Sequence, residues 1–267
     1  MNKATSKDGT LIAFDRSGEG PALILVTGAM ATRTDAASLA ASLSPHFTVF
    51  AYDRRGRGES GDTLPYAVER EVEDIDALIS EVGGAAFVFG HSSGAILALE
   101  AARLLAPSIT KLAMYEPPFI VDDSHAPLPE DYVTHLAELT SAGRRSEAVT
   151  YWMTTVIGLP ADVVANMQKA PMWPALEAVA PTLVYDGTIS ADYVRGKPLP
   201  AKRWASVTIP TLVMDGADSP AMMHSGALAL TRILPNAQHR RFPGQTHGVA
   251  DEVLVPALVE FFKNNLR

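Results

Sequence analysis

The pentapeptide Gly90-His91-Ser92-Ser93-Gly94 sets a serine between two glycines in the pattern Gly-x-Ser-x-Gly. That pattern carries chemistry in one setting, a sharp turn from a buried strand into a helix. There, small flanking residues let the chain bend and leave the central hydroxyl exposed. The setting is present: the apolar run Phe87-Val88-Phe89 precedes the turn, and an Ala- and Leu-rich helix follows over 95–105. Ser92 is therefore the candidate nucleophile. Ser93 opens the helix, so its N–H has no intrahelical acceptor and lies at the positive end of the helix dipole, suited to a developing oxyanion. Two serines that merely cap a helix are the bland alternative, and the strand–turn–helix context outweighs it.

A serine hydroxyl needs a base. Among seven histidines, His247 stands in the loop Gly244-Gln245-Thr246-His247-Gly248 after the strand-like run Gln238–Phe242. The chain order Ser, acid, His puts the base there. His91, inside the turn, is expected to pack or hydrogen-bond locally, and His239 to lie in the strand. Two carboxylates could stand behind His247. Glu116 ends the run Leu112–Tyr115, and a glutamate buried there beside Pro117 and Pro118 would need a partner. Asp218 follows the run Thr211–Met214 in a Gly-Ala-Asp-Ser turn, where an exposed aspartate is ordinary turn chemistry. Either could accept the Nδ1–H of His247 and stabilise the imidazolium.

Alternating elements must position these groups. Asp8-Gly9 predicts a hairpin leading into the strand Thr10–Phe14. Continuous apolar runs at 22–26, 47–52, 87–89, 112–115 and 211–214 read as strands buried on both faces. Val68, Val72, Ile75, Ile79 and Val82 make a helical stripe, and residues 222–234 and 252–263 read as two more helices. The alternation implies a mostly parallel sheet with helices on both faces. From Pro117 to Ala205 it stops. Leu136 and Leu139, then Ala148, Val149, Trp152, Met153 and Val156, then Val163, Val164 and Met167 suggest helices punctuated by prolines. The expected organisation is a core of residues 1–116 and 206–267 interrupted by a helical lid over 117–205.

Composition narrows the function classes. The net charge of −8 argues against nucleic-acid binding, which needs clustered cations. Arg54-Arg55 and Arg144-Arg145 are expected to be solvated or locally paired. With no cysteine, disulfides, thiolate zinc sites and cysteine nucleophiles are excluded. No signal peptide is visible after Met1, and no segment approaches the roughly 18 apolar residues of a membrane span. A cytoplasmic protein is the default expectation.

With the Gly-x-Ser-x-Gly turn, the late histidine and the βα alternation, nearly the whole chain resembles the α/β-hydrolase superfamily. The resemblance implies an eight-stranded sheet with a helical cap insertion, and serine hydrolase activity through an acyl-enzyme. Tyr52-Asp53-Arg54-Arg55-Gly56-Arg57-Gly58-Glu59-Ser60 looks like a family loop. Thr27-Gly28-Ala29-Met30 stands where the family usually has His-Gly, with Thr27 replacing the histidine. The family's second oxyanion donor is a backbone N–H, which Gly28 or Ala29 can supply alongside Ser93. Ser92-Ser93-Gly94-Ala95 and Glu116-Pro117 are similar to zearalenone-hydrolase-like lactonases, whose triad acid is a glutamate in this second position. Asp218 stands only two residues beyond Gly216, short of the usual family spacing. Glu116 is thus the preferred acid and Asp218 the alternative.

The substrate class implied is a small-molecule carboxylic ester or lactone, and no cofactor is expected. Met30, Trp152 and Trp173 are candidate pocket residues, although Trp152 lies on a stripe that could equally be the lid's own core. No metal-ligand spacing such as His-Glu-x-x-His occurs. Gly56-Arg57-Gly58-Glu59-Ser60-Gly61 matches a dinucleotide fingerprint, but Pro65 interrupts the helix it should open, so a tight structural turn is the better reading. A non-catalytic small-molecule receptor would carry the same residues, and so would a carbon–carbon bond hydrolase or lyase. Epoxide and haloalkane hydrolysis are disfavoured, because they need a carboxylate where Ser92 stands. The sequence implies no oligomeric state.

Overall fold

Strand residues that alternate in direction build a sheet with two apolar faces. The computed structural model describes residues 1–264. Its strands are β1 (Asn2–Thr5), β2 (Leu11–Ser17), β3 (Ala22–Val26), β4 (Thr48–Tyr52), β5 (Ala86–His91), β6 (Ile109–Tyr115), β7 (Thr211–Gly216) and β8 (Ala237–Phe242). They form one eight-stranded sheet in the order β1-β2-β4-β3-β5-β6-β7-β8. The β1–β2 hairpin and the β2–β4 pair are antiparallel, and the remaining pairs are parallel. This is the α/β-hydrolase fold that the resemblance implies.

Helices α1 (Ala37–Leu43) and α10 (Asp251–Lys263) cover one face, where Leu23, Leu25, Phe87 and Phe89 point. Helices α2 (Val68–Glu81), α3 (Ser93–Leu104) and α9 (Ala221–Ile233) cover the other, packed on Ile24, Val26, Val88 and Met114. Successive residues of one strand thus serve two cores, which is why the strands read as continuous apolar runs. At roughly 25 cal/mol per Å² of apolar surface removed from water, these two layers are the main stabilising term.

No strand is found between β6 and β7 among the described residues. The connection holds α4 (Tyr132–Ser141), α5 (Arg145–Tyr151), α6 (Ala161–Met167), α7 (Trp173–Val179) and α8 (Leu183–Ser190). Their buried cluster includes Leu136, Val149, Trp152, Trp173 and Leu183. The stripe read through Trp152 and Val156 is a single helix only in part, because Trp152–Val156 widens into a π-turn after α5. No described helix is long and apolar enough to cross a membrane.

Of the two alternatives for Arg54 and Arg55, solvated or locally paired, solvation does not hold, and the pairing reaches as far along the chain as Asp186. Arg54, Arg55 and Arg57 are at most 1% exposed, and all three are paired. The loop 53–61 turns inward beneath the site, with Gly56 and Gly58 at positive φ to make the turn. Arg144, by contrast, pairs locally with Glu147 on the surface.

Candidate active site

The loops at the carboxyl ends of β3, β5, β6, β7 and β8 bring the site together. Ser92 joins β5 to α3 at φ 57° and ψ −130°. Its N–H donates to the Tyr115 carbonyl at 3.0 Å, and its own carbonyl accepts from Ala95 N–H at 2.9 Å. The flanking glycines are steric necessities. A Cβ on Gly90 would stand 2.6 Å from the Ala95 Cα, and one on Gly94 would stand 2.4 Å from the carbonyl oxygens of Val26 and Thr27. Helix and strand touch backbone to backbone here, as a strand–turn–helix nucleophile turn requires.

Gly28 brings the β3 loop against this turn. A Cβ at Gly28 would lie 2.8 Å from the Ser92 Cβ and 3.4 Å from its Oγ. Ala29 and Met30 follow, half-buried, with Met30 at φ 61°. Ser93 begins α3, so its N–H is one of that helix's unpaired donors.

Glu116 is fully buried at the end of β6, at φ 46°. One carboxylate oxygen accepts the Gly216 N–H at 2.8 Å, and the other faces His247 Nδ1 at 2.7 Å. Burial pushes the Glu116 carboxyl up, but the hydrogen bonds it accepts, from His247 first and from Gly216, hold it below the usual range. An ionised Glu116 fixes the proton on Nδ1 and leaves the His247 Nε2 lone pair free to accept one.

Asp218 stands elsewhere. Its residue is exposed, and its backbone N–H donates to the Gln245 carbonyl at 2.9 Å. The two candidate acids therefore meet the histidine loop differently, Glu116 at the imidazole and Asp218 at the loop's main chain.

His91 has a partner distant in sequence, contrary to the expectation of a local one. Its Nε2 lies 2.9 Å from the His247 carbonyl. A carbonyl only accepts, so this nitrogen carries the proton. Burial, followed by the neighbouring His247, lowers the His91 pKa to about 4, so the ring is neutral. Tyr115 Oη donates to the Thr246 carbonyl at 2.6 Å. Both rings therefore clamp the main chain that carries His247. Only the adjacency of His91 and Tyr115 to the two expected site residues hinted at this in the sequence.

Trp152 and Trp173 lie in the buried cluster of the β6–β7 connection, 5% and 4% exposed. Trp173 Nε1 donates to Ser146 Oγ at 2.8 Å. Ala29 and Met30 pack against the same cluster from the sheet side.

A separate polar cluster surrounds buried Asp215 at the end of β7. Its carboxylate accepts from His224 Nδ1 at 3.0 Å and from His239 Nε2, and Arg241 lies 3.3 Å away. His239 lies in β8 as expected. Asp215, His224 and His239 have the composition of a metal-ligand set. The Arg241 charge already compensates the carboxylate, and each imidazole has one nitrogen committed to it, so a satisfied buried carboxylate accounts for the cluster.

A family model described as the Alpha/beta hydrolase family matches residues 23–254. An alpha/beta hydrolase of known structure from Sphaerobacter thermophilus is 55% identical, with TM-score 0.91 over 98% of this chain and 100% of that one. The N-formylmaleamate deformylase of Pseudomonas putida is 36% identical over 104 residues, and the match spans 38% of this chain and 39% of that protein's length. An esterase structure from Exiguobacterium antarcticum shares the fold, with 20% identity and TM-score 0.74 over 98% of this chain and 99% of that one.

Proposed function

This chain belongs to the alpha/beta hydrolase family, and on that premise we propose that it is a serine hydrolase cleaving a carboxylic ester or lactone through an acyl-enzyme. The observation that carries the reading is the buried Glu116 carboxylate 2.7 Å from His247 Nδ1, on a loop whose His247 carbonyl meets His91, the residue before a serine held at positive φ. In this reading Ser92 is the nucleophile, His247 the base and Glu116 the acid that orients it. Asp218 serves the His247 loop through its backbone.

Ser92 Oγ attacks the substrate carbonyl carbon while its proton passes to His247 Nε2. The carbonyl oxygen becomes an oxyanion facing the N–H groups of Ser93 and of Ala29 or Gly28. Such donors, aligned before the reaction starts, favour the transition state without reorganisation. Collapse breaks the carbon–oxygen bond, and His247 returns the proton to the leaving alkoxide. In an ester the alcohol departs, whereas in a lactone it stays tethered to the acyl group. Water then gives a proton to His247 and attacks the acyl carbon, and Ser92 leaves with that proton restored.

We assign residues 117–205 as a helical cap, supported by the packing of Ala29 and Met30 against its apolar cluster. Met30 is the pocket residue this packing favours, while Trp152 and Trp173 serve the cap's own core. Lactones enter the proposal from the resemblance of Ser92-Ser93-Gly94-Ala95 and Glu116-Pro117 to zearalenone-hydrolase-like lactonases. The deformylase match adds N-formyl compounds to the panel worth assaying.

The test is a serine-directed phosphonate probe with peptide mapping, run beside a panel of activated esters and lactones. Label on the peptide containing Ser92 is expected, with ester turnover falling about 10⁴-fold in Ser92→Ala. Full turnover in that variant overturns the reading.

A further inference from the structure

Beneath the site lie four ionised side chains, Arg54, Arg57, Glu71 and Asp186, each at most 1% exposed. Two cations and two carboxylates compensate one another. Arg54 holds Glu71 with two hydrogen bonds of 2.7 Å and reaches Asp186 at 2.7 Å, and Arg57 Nη2 meets the other Asp186 oxygen at 2.5 Å. Buried ion clusters are seldom a net gain in stability over apolar packing, so a geometric role is the better explanation for this one.

The spare donors and acceptors of the cluster point at the oxyanion hole. Arg57 Nη1 donates to the Gly28 carbonyl at 2.6 Å and to the Ala31 carbonyl at 3.1 Å, and Arg54 reaches the Thr27 carbonyl at 3.3 Å. The Gly28 C=O and the Ala29 N–H belong to one planar trans peptide and point to opposite sides. Fixing that carbonyl therefore fixes the direction of the Ala29 N–H. On the other wall, Ser93 Oγ donates to Asp186 Oδ1 at 2.7 Å, which pins the first residue of α3.

We propose that Arg57 and Asp186 are positioning residues that brace both walls of the oxyanion hole, the Gly28–Ala31 loop through its carbonyls and the nucleophile turn through the Ser93 hydroxyl. This rests on reading Ser92 as an acyl-transfer nucleophile. It also gives the cap a part in the chemistry, because Asp186 sits on α8. Without Arg57 the Gly28–Ala29 peptide is free to rotate, and the hole loses a donor while the triad stays intact.

Arg55 provides a matched control. It is equally buried and held by Asp74 and Asp8, yet its hydrogen bonds avoid residues 27–31 and 93. Arg57→Lys, Asp186→Asn, Ser93→Ala and Arg55→Lys are compared for kcat and KM on p-nitrophenyl acetate, for Tm, and for amide hydrogen exchange over 27–31 and 92–95. In Arg57→Lys and Asp186→Asn, kcat is expected to fall about tenfold to a hundredfold with KM within about twofold, since a whole oxyanion donor is worth about 10²–10³. Exchange should quicken in both stretches. Arg55→Lys should lower Tm and leave kcat in place. The proposal is overturned if kcat falls no further than in Arg55→Lys at equal loss of Tm, or if exchange in the two stretches is unchanged. Should the charge variants not fold, Ser93→Ala decides, because it removes one hydroxyl and keeps the N–H: unchanged kcat there overturns the bracing. Absence of ester turnover in the unaltered protein counts against the hydrolase reading alone, and the exchange comparison still decides the bracing.

Discussion

Among the described residues, the non-glycine positions with positive φ are Met30, Ser92 and Glu116. They are the pocket, nucleophile and acid candidates. Each such conformation costs on the order of 1–3 kcal/mol and persists only where the surroundings enforce it. Ser92→Gly is therefore expected to abolish ester turnover while raising Tm by about 2–4 °C, the shift that roughly 1 kcal/mol gives a chain of this size. Thermal melts beside the assay check this, and a lowered Tm rejects the strain account. The acid separates by a paired test. Glu116→Gln leaves a neutral amide that no longer dictates the His247 tautomer, and kcat should drop about 10³–10⁴-fold, as for a triad acid. Asp218→Asn leaves the backbone bond to Gln245 in place, so kcat should stay within about threefold. A reversed order of the two losses removes Glu116 from the triad.

At the scale of elements, the inner strands and the helices α2, α3, α9 and α10 were legible because burial on two faces gives apolar runs and one-sided packing gives a stripe at helical spacing. Helix α1, by contrast, is a seven-residue Ala- and Ser-rich segment too short to show such a stripe and was not read. The predicted boundaries of α2, α9 and α10 agree with the structure to a residue or so. Helix α3 begins two residues earlier than its apolar pattern, because Ser93 and Gly94 contribute backbone contacts and not apolar side chains. Helix α8 was illegible. Leu183–Ser190 mixes glycine with β-branched residues, and buries Tyr185, Asp186 and Ser190 as well as apolar groups, so it has no amphipathic stripe. Its Asp186 answers Arg57 from 129 positions away, a pairing that no local pattern encodes. The Ser-Gly turn was legible for a different reason. The glycines at 90 and 94, flanking Ser92, record backbone contacts that exclude a Cβ at those two positions. Gly28 belongs to the same interface and was legible only through the family resemblance of Thr27-Gly28-Ala29-Met30. In Gly28→Ala the new methyl would press on the Ser92 Cβ, and the loop must retreat from the turn. At least a 10²-fold loss of kcat is expected, comparable to losing an oxyanion donor, with an unchanged far-UV circular dichroism spectrum. Retained turnover separates the loop from the oxyanion hole.

Over the whole molecule, the buried titratable groups set how stability answers to pH, and two kinds of group act in different windows. Glu116 and Asp186 both have carboxyls held below the usual range, against the upward push of burial, by their hydrogen bonds and the charges beside them. Their contribution is present above the unfolded carboxylate value of about 4 and is lost as pH falls through the lower folded value. His91 acts earlier. Its folded pKa of about 4 lies below the ordinary 6.5, so between those values the unfolded chain binds a proton that the folded chain refuses. Stability therefore rises with pH across that window and is progressively lost on acidification, by an amount on the order of 3 kcal/mol when the full shift is counted. The fold should thus begin to weaken below about pH 6.5, before Glu116 and Asp186 are protonated. Replacing His91 with glutamine keeps a donor for the His247 carbonyl and removes the titration. The variant's absolute Tm is not diagnostic, because packing changes with it. The slope of Tm against pH is. Between pH 6.5 and pH 4.5 the unaltered protein should lose Tm steeply while His91→Gln stays nearly flat, and below pH 4 the two should fall together as the shared carboxylates titrate. Parallel curves through the upper window show that His91 is not the group responsible.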